Sequence, residues 1–205
     1  MKREERLQAL LQVDMPFWQA GRRFAGMDEV GRGPLAGCVL AACVIMPQEP
    51  ALLWVDDSKR LSEVRRERVY DEIMACALFV GIGRAEPEEI DRMNIRQATR
   101  AAMRRAAQGA KADLYLIDAE QSLGLDGEER AIIHGDALSY SIAAASIVAK
   151  VTRDRQMHAL DVQYPGYGFA RNKGYGTAEH MQALRTLGPC PAHRRSFIGR
   201  IMDGV

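Results

Sequence analysis

One segment near the start of the chain constrains the fold more than any other. An apolar run begins at Phe24 and ends at Asp28, residues 31–34 (Gly-Arg-Gly-Pro) are typical of a turn, and a second apolar run extends from Cys38 to Met46. Two apolar runs joined by a glycine-rich turn predict a buried β-hairpin. Because the strands of a hairpin are antiparallel, this segment excludes a purely parallel sheet.

Strand and helix signals alternate through the rest of the 205 residues. Periodicity and capping residues predict helices over residues 4–20, 62–77, 87–109 and 140–162 and after Thr177, and strands over residues 78–83, 114–117 and 131–133. This order predicts an α/β fold in which a mixed β-sheet is flanked by helices, with a helical C-terminal segment. We expect one structural domain overall, made of an N-terminal helix that packs on the core (1–23), a catalytic core (24–163) and a C-terminal loop and helical segment (164–205).

The charge is unevenly distributed along the chain. A net charge of +1 taken alone argues against a nucleic-acid partner. Residues 1–149 contain 19 Lys or Arg and 23 Asp or Glu, however, whereas residues 150–205 contain nine and four. The C-terminal quarter therefore predicts a basic face, in which we expect Arg194 and Arg195 to contact phosphates.

Cysteine usage and hydropathy indicate where the protein works. The four cysteines form no C-x-x-C pair and have no histidine at zinc-ligand spacing, so buried free thiols are favoured over a zinc site. No segment contains the roughly 18 consecutive apolar residues of a membrane span, and the N-terminus carries acids in place of an apolar signal core. We expect a cytoplasmic protein that contacts no membrane.

Four acidic residues lie at the ends of predicted elements: Asp28, Glu29, Asp118 and Asp136. A scaffold can direct side chains at such positions into a shared cleft without burying their backbone. Hard divalent cations such as Mg²⁺ take oxygen ligands, and four carboxylates suit two ions. Paired ions can activate water and stabilise the leaving oxygen in phosphodiester hydrolysis. The acids therefore predict a metal-dependent nuclease site.

Taken singly, these acids also fit ordinary structural roles. Adjacent Asp28 and Glu29 would project to opposite faces of a regular strand, so both serve one site only if the strand breaks there into the glycine turn. The pair could instead cap nearby amides, Asp118 could be a simple strand-end acid, and Asp136 could cap a helix. The residues alone leave these alternatives open.

The wider context of these acids resembles a known family. Residues 25–37 (Ala-Gly-Met-Asp-Glu-Val-Gly-Arg-Gly-Pro-Leu-Ala-Gly) are similar to the opening signature of ribonuclease HII. Further matches follow in the same order: Asp57-Ser58-Lys59-Arg60-Leu61-Ser62, Leu116-Ile117-Asp118, Gly135-Asp136, residues 143–150, Lys173-Gly174-Tyr175 and residues 193–197. The resemblance covers residues 24–197, and two departures stand within it, His134 and Asn172, where many relatives carry Lys and His.

The resemblance implies a fold, an activity and a substrate. The fold would be ribonuclease H-like, and the four acids would bind Mn²⁺ or Mg²⁺, two ions with substrate. The enzyme would cut the RNA strand of RNA–DNA hybrids, and would cut 5′ of ribonucleotides embedded in duplex DNA, leaving 3′-OH and 5′-phosphate. It implies no required protein partner and no membrane, and a C-terminal segment that completes the substrate groove.

The resemblance also assigns substrate-binding residues. Gly31-Arg32-Gly33 would contact ribose 2′-hydroxyls, the group that separates RNA from DNA, and Tyr175 would pack on the sugar just past the RNA-to-DNA junction. Paired glycines do let a backbone approach a ligand closely, although a plain tight turn and a surface aromatic also fit. Lys59, Lys150 and Lys173 are candidate phosphate contacts, or solvated lysines.

Other functions fit part of the pattern. A junction resolvase or integrase core also places acids at strand ends, and a duplex-binding module with structural acids would cut nothing. The related class ribonuclease HIII carries an extra N-terminal domain, for which the 23 residues before the first strand are too few. Ribonuclease HII is therefore the class that we expect.

Overall fold

A five-stranded mixed sheet lies at the centre of the protein. The computed structural model describes residues 2–120 and 122–202. Its strands are β1 (Phe24–Val30), β2 (Val39–Ile45), β3 (Phe79–Ala85), β4 (Leu114–Asp118) and β5 (Glu128–Ile132), in the order β3-β2-β1-β4-β5. β2 pairs antiparallel with β1 and β3, whereas β4 pairs parallel with β1 and β5. The predicted hairpin and mixed sheet are confirmed.

Helices cover both faces of this sheet. They are α1 (Arg3–Gln19), α2 (Glu63–Cys76), α3 (Pro87–Met93), α4 (Ile95–Ala107), α5 (Gly135–Leu138), α6 (Tyr140–Gln163), α7 (Phe169–Asn172), α8 (Ala178–Leu187) and α9 (Arg195–Met202). Alternate residues of β2 face opposite ways: Leu40 packs with α1, α2 and α6, and Val39 packs with α3 and α4. Every residue of β2 is consequently buried. None of the described helices combines the length and apolarity needed to cross a membrane.

The structure differs from the predicted elements at several points, and β5 (Glu128–Ile132) begins three residues before the strand predicted over residues 131–133. The single helix expected over residues 87–109 is wrong, because Asn94 adopts a left-handed φ of 70° between α3 and α4. Asn tolerates this conformation, and its side chain caps α4 by accepting the Gln97 amide at 3.1 Å. The loop expected over residues 164–176 contains α7. Residues 203–205 of the predicted C-terminal segment lie outside the described residues.

Helix α6 runs directly along β1. A Cβ at Gly26 would lie 2.1 Å from the backbone carbon of Ser141, so only glycine allows this approach. Further along both elements, Ser146 lies beside Asp28, and a Cβ at Gly31 would lie 2.2 Å from Nε of Arg153. The close packing of α6 on β1 therefore brings polar side chains to the end of β1 where the predicted acids lie.

Candidate active site

Three of the four predicted acids form one cluster. Asp28 in β1, Asp118 at the end of β4 and Asp136 in α5 each offer a carboxylate oxygen within 4.8 Å of the others. β1 and β4 are parallel neighbours with Met27 opposite Ile117, so the next residues of both strands are adjacent. The Gly135 amide donates to Oδ1 of Asp118 at 2.7 Å and ties α5 to the end of β4. We call these three residues the aspartate trio.

The aspartate trio concentrates negative charge in a poorly solvated place. Asp28 is only 5% exposed, and burial, followed by the charges of Glu29 and Asp118, raises its pKa well above the usual range. Burial and the charge of Asp136 likewise raise the pKa of Asp118. Among the described residues, one cation forms an ion pair with the trio, Lys59, whose Nζ lies 2.8 Å from Oδ2 of Asp136. Such uncompensated carboxylates favour a bound cation.

Glu29 lies beside the trio but not within it. The expected break of the strand at Asp28 is wrong, because β1 continues to Val30 and Glu29 pairs with Ala41 in the ladder. Oε1 of Glu29 lies 3.4 Å from Nη1 of Arg32, and its buried Oε2 has no hydrogen-bond partner among the described residues. Burial raises the pKa of Glu29, the Arg32 charge opposes this, and Asp118 adds to it. This carboxylate therefore keeps an unused oxygen near the trio.

The glycine turn after β1 is held by a buried arginine. Arg194 is 0% exposed and donates through Nε to the carbonyl of Gly37 at 2.9 Å, through Nη1 to Pro34 at 2.8 Å and through Nη2 to Gly31 at 2.6 Å. Nη1 also donates to the Arg32 carbonyl at 3.0 Å. The expected phosphate contact of Arg194 is therefore wrong. A count of charges along a sequence does not distinguish an arginine that is buried on carbonyls from an exposed one.

The predicted ribose-reading residues lie together. Tyr175 is 48% exposed, and a Cβ at Gly33 would lie 3.6 Å from Cε1 of its ring. Gly31 has a φ of +89°, a conformation that favours glycine, and the Arg32 side chain is 42% exposed. A cavity of about 220 Å³ joins this region to the carboxylates, lined by Asp28, Glu29, Val30, Ser58, Lys59, Ser146, Lys150, Arg153 and Tyr175.

The three predicted lysines have different surroundings. Lys59 is 75% exposed and lies at the trio. Lys150 lines the same cavity, but its Nζ donates to Asp154 at 2.6 Å, and burial lowers its pKa. Nζ of Lys173 lies 2.9 Å from Nε2 of His158, and Lys173 does not line the cavity. Lys59 is thus the lysine best placed to meet a phosphate beside the carboxylates.

Sequence reasoning missed polar residues around the trio. Glu120 is buried two residues beyond Asp118, and its carboxylate oxygens lie 3.7–4.0 Å from guanidinium nitrogens of Arg32, Arg96 and Arg100. Ser146 hydrogen-bonds to Asp28, and its Oγ lies 3.0 Å from Oγ of Ser58. A second acid just past a strand end could have signalled Glu120. Nothing in the local sequence separates Ser146 from an ordinary small helix residue.

The two departures from the family pattern have distinct roles. Asn172 is buried, and its Oδ1 accepts the Gly174 amide at 2.8 Å while its Nδ2 donates to the Tyr167 carbonyl at 2.7 Å. It therefore shapes the loop that carries Tyr175. His134 caps α5 in a left-handed conformation with a φ of 58° and precedes Gly135 and Asp136.

Comparisons with known proteins agree with this geometry. A sequence profile described as "Ribonuclease HII" matches residues 25–200. Ribonuclease HII of Desulfitobacterium hafniense (strain Y51) is 52% identical over 196 residues, 94% of this chain and 75% of the relative. That of Syntrophobacter fumaroxidans is 56% identical over 185 residues, 89% and 79%. The fold matches the crystal structure of ribonuclease H2 from Pyrococcus horikoshii OT3 with a TM-score of 0.76 at 24% identity, covering 89% of this chain and 98% of that one.

Proposed function

The chain belongs to the ribonuclease HII family of ribonuclease H endonucleases, and from this premise we propose that it cuts 5′ of ribonucleotides in duplex DNA as well as in RNA–DNA hybrids. The products carry 3′-OH and 5′-phosphate ends. The observation that carries this proposal is the aspartate trio, whose carboxylate oxygens lie within 4.8 Å of one another. We assign the activity to the cytoplasm and to removal of ribonucleotides from DNA, without a required protein partner.

The donor set around the trio fits hard divalent cations. It consists of the carboxylates of Asp28, Asp118 and Asp136, and the unused Oε2 of Glu29 lies close by. Oxygen-only ligands of this kind suit Mn²⁺ or Mg²⁺, and we propose that these four residues hold two ions together with substrate phosphate. Such ions supply an activated water and stabilise the leaving 3′ oxygen.

Recognition of the ribose is assigned to the turn Gly31–Gly33. The carbonyls of Gly31 and Arg32 point at Arg194. Because the C=O and N–H of a trans peptide point in opposite directions, the amides of Arg32 and Gly33 point away from that arginine. Amides presented in this way by a turn without bulky side chains can meet a 2′-hydroxyl, which only the RNA nucleotide carries.

Tyr175 is assigned to the sugar that follows the ribonucleotide. Its exposed ring lies beside Gly33, within the cavity that contains Asp28. A ring that packs on the deoxyribose positions the scissile phosphate over the carboxylates. Lys59, Lys150 and Lys173 are assigned to phosphate contacts. Lys59 is the best placed of the three, because Lys150 is paired with Asp154 and Lys173 does not line the cavity.

Cleavage of labelled duplexes tests the proposal directly. We expect cutting 5′ of a single ribonucleotide embedded in DNA and within a long RNA–DNA hybrid, in both cases only with Mn²⁺ or Mg²⁺ added. A hybrid that is cut while the single-ribonucleotide duplex stays intact would contradict the proposal. Tyr175→Ala should lower kcat on the single-ribonucleotide duplex by up to about a hundredfold while KM changes less, because misplacing the scissile phosphate by about 1 Å has an effect of that size.

A further inference from the structure

Two buried histidines lie behind Tyr175. His180 in α8 and His193 in the segment before α9 are 0% and 2% exposed. Their Nε2 atoms lie 3.0 Å apart, and the rings of Tyr167 and Phe169 pack against both. Neither histidine lies at the carboxylates, and the chemistry assigned above does not use them. Their hydrogen-bond partners nevertheless determine which nitrogen of each ring carries the proton.

The Tyr175 carbonyl determines where His180 carries its proton. Nδ1 of His180 lies 2.9 Å from the carbonyl oxygen of Tyr175. A carbonyl only accepts hydrogen bonds, so Nδ1 of His180 carries a proton. In a neutral ring the other nitrogen is then an acceptor, and Nε2 of His180 must receive a proton from Nε2 of His193.

The tautomer of His180 determines the tautomer of His193. Because its Nε2 donates to His180, Nδ1 of the neutral ring is an acceptor. The backbone amide of Cys190 donates to this atom at 3.0 Å. The Cys190 carbonyl also lies 3.2 Å from Nδ1, and it accepts the backbone amide of His193 at 3.0 Å. All four ring nitrogens thus have a partner of the correct kind in one arrangement of protons.

We propose that His180 and His193 are positioning residues that fix the backbone of Tyr175 through this one pair of tautomers, His180 protonated on Nδ1 and His193 on Nε2. The inference rests on the proposed function, because it assigns to the pair the placement of the ring that packs on the sugar. It deepens that function by identifying what holds the exposed ring beside the glycine turn.

The anchoring has to act through the backbone because the ring itself is exposed. The Tyr175 carbonyl accepts the Thr177 amide at 2.8 Å in addition to His180, and the Tyr175 amide donates to the Asn172 carbonyl at 2.9 Å. On the far side of the pair, His193 is followed by Arg194, which holds the glycine turn. The consecutive residues His193 and Arg194 therefore connect, respectively, to Tyr175 through His180 and to the glycine turn. The distance between the turn and the Tyr175 ring is thus set within one buried segment.

The neutral state of the pair is favoured by its surroundings. Burial lowers the pKa of His180, and burial with the charge of His180 lowers the pKa of His193 to about 4. Among the described residues, the ionisable groups that act on the pair are Cys190, Tyr167 and Arg195, and none of these three offers a negative charge that would favour a protonated ring. The tautomer arrangement therefore holds through the neutral pH range.

Nitrogen-15 NMR of the histidine-labelled full chain tests the tautomers without any activity. We expect His180 in the Nδ1–H form and His193 in the Nε2–H form, both neutral at pH 7.5. His193 found in the Nδ1–H form, or either ring charged at that pH, would overturn the proposal.

A matched pair of variants tests the effect on cleavage. The amide nitrogen of Asn can replace Nδ1 of histidine, whereas that of Gln replaces Nε2. His180→Gln, which removes the donor to Tyr175, should lower kcat on the single-ribonucleotide duplex about tenfold with KM within about twofold. His180→Asn should retain most of the rate, although Gln is closer to histidine in size. Equal losses in both variants would contradict the proposal.

Two further variants separate the possible failures. Gln182→Ala changes an exposed residue of the same helix and should match the parent protein in rate and Tm. If Tyr175→Ala leaves cleavage at the junction unchanged, the role assigned to that ring fails, whatever the NMR result. If Tyr175→Ala lowers the rate while His180→Gln does not, the assignment of Tyr175 stands and the inference about the histidines fails.

Discussion

Two buried charged regions of this protein behave in opposite ways. In the aspartate trio, three acidic side chains lie close together, and burial is the main cause of the raised pKa values of Asp28 and Asp118. Among the described residues, Lys59 alone forms an ion pair with the trio. The second region, which we call the basic cluster, has its donors occupied by carbonyls and by neighbouring rings. It consists of Arg153, Arg194, His180 and His193.

The two regions differ in whether their buried polar groups have a complete set of hydrogen-bond partners. The arginines of the basic cluster donate to backbone carbonyls, which need a donor once they are buried. These hydrogen bonds hold the glycine turn and its surroundings in place. The aspartates have no equivalent set of donors, and their mutual repulsion is relieved by protonation, as the raised pKa values of Asp28 and Asp118 indicate, or by a bound cation. An incomplete set of partners therefore indicates the ligand site, and a complete set indicates a structural support.

The largest expected effect is the loss of Arg194. Arg194→Met keeps a long apolar stem but leaves the carbonyls of Gly31, Arg32, Pro34 and Gly37 without their donor. We expect the free energy of unfolding to fall by about 4 kcal/mol, because unsatisfied buried acceptors are costly. Urea unfolding measures this. A variant as stable as the parent protein would show that the basic cluster is not a structural support.

The aspartate trio should respond in the opposite sense. Asp28→Asn is nearly isosteric and removes a buried charge whose pKa is raised in the folded state. We expect cleavage to fall at least a hundredfold, roughly 2.7 kcal/mol of barrier, while stability stays equal or rises. The rate and the urea midpoint are measured on one preparation that is free of host nuclease. Cleavage near the parent rate would remove Asp28 from the catalytic set.

Acidification should act on the two regions with opposite sign. The folded pKa of His193 is about 4, below the value of about 6.5 of an unfolded histidine, so the unfolded chain binds more protons between these values. Stability from His193 is present above pH 6.5 and falls by about 2 kcal/mol as the pH drops to 5. The raised pKa values of the carboxylates act against this fall. We expect the free energy of unfolding, measured at several pH values from 7.5 to 5, to fall more steeply with decreasing pH in Asp28→Asn than in the parent protein. In His180→Asn it should fall less steeply.

The smallest effect is expected from substitution of Arg195, which follows the buried Arg194. The side chain of Arg195 is exposed, unlike that of Arg194. If it contacts a phosphate, Arg195→Gln should change stability by less than about 0.5 kcal/mol and reduce the salt slope of duplex binding by about 0.9. Binding measured from 50 to 200 mM salt tests this. An unchanged slope would place the phosphate contacts of this protein elsewhere, at Lys59 or Arg32.

Local patterns in the sequence predicted where the aspartates lie in the fold, but they did not predict where the arginines lie. Asp28 and Asp118 follow apolar runs that predict buried strands, but each acid also fits an ordinary structural role, and the pairing of β1 with β4 that brings the two acids together was not predicted. The partners of Arg194 lie about 160 positions away in the chain, and nothing near Arg194 encodes that pairing. Long-range contacts of this kind are created by tertiary packing, which local patterns do not contain.

Local conformation accounts for the other differences. The break at Asn94 depends on a left-handed backbone and a side-chain cap, and both compete with a strongly periodic helical pattern on either side. The placement of Glu29 depends on β1 continuing past Asp28, a matter of two residues at a strand end. Whether a strand ends at one residue or two residues later is the least predictable feature of a sequence, because neighbouring strands decide it.

The parallel pairing of β1 and β4 has a consequence for how such a site tolerates change. Asp28 and Asp118 follow the paired residues Met27 and Ile117, so their separation is set by the spacing of about 4.8 Å between hydrogen-bonded strands. That interval is a property of the peptide backbone and is the same in any sheet. Surface connections can lengthen, shorten or diverge over many generations without altering it. The spacing of the two aspartates is thus insulated from most of the mutations that a lineage accumulates.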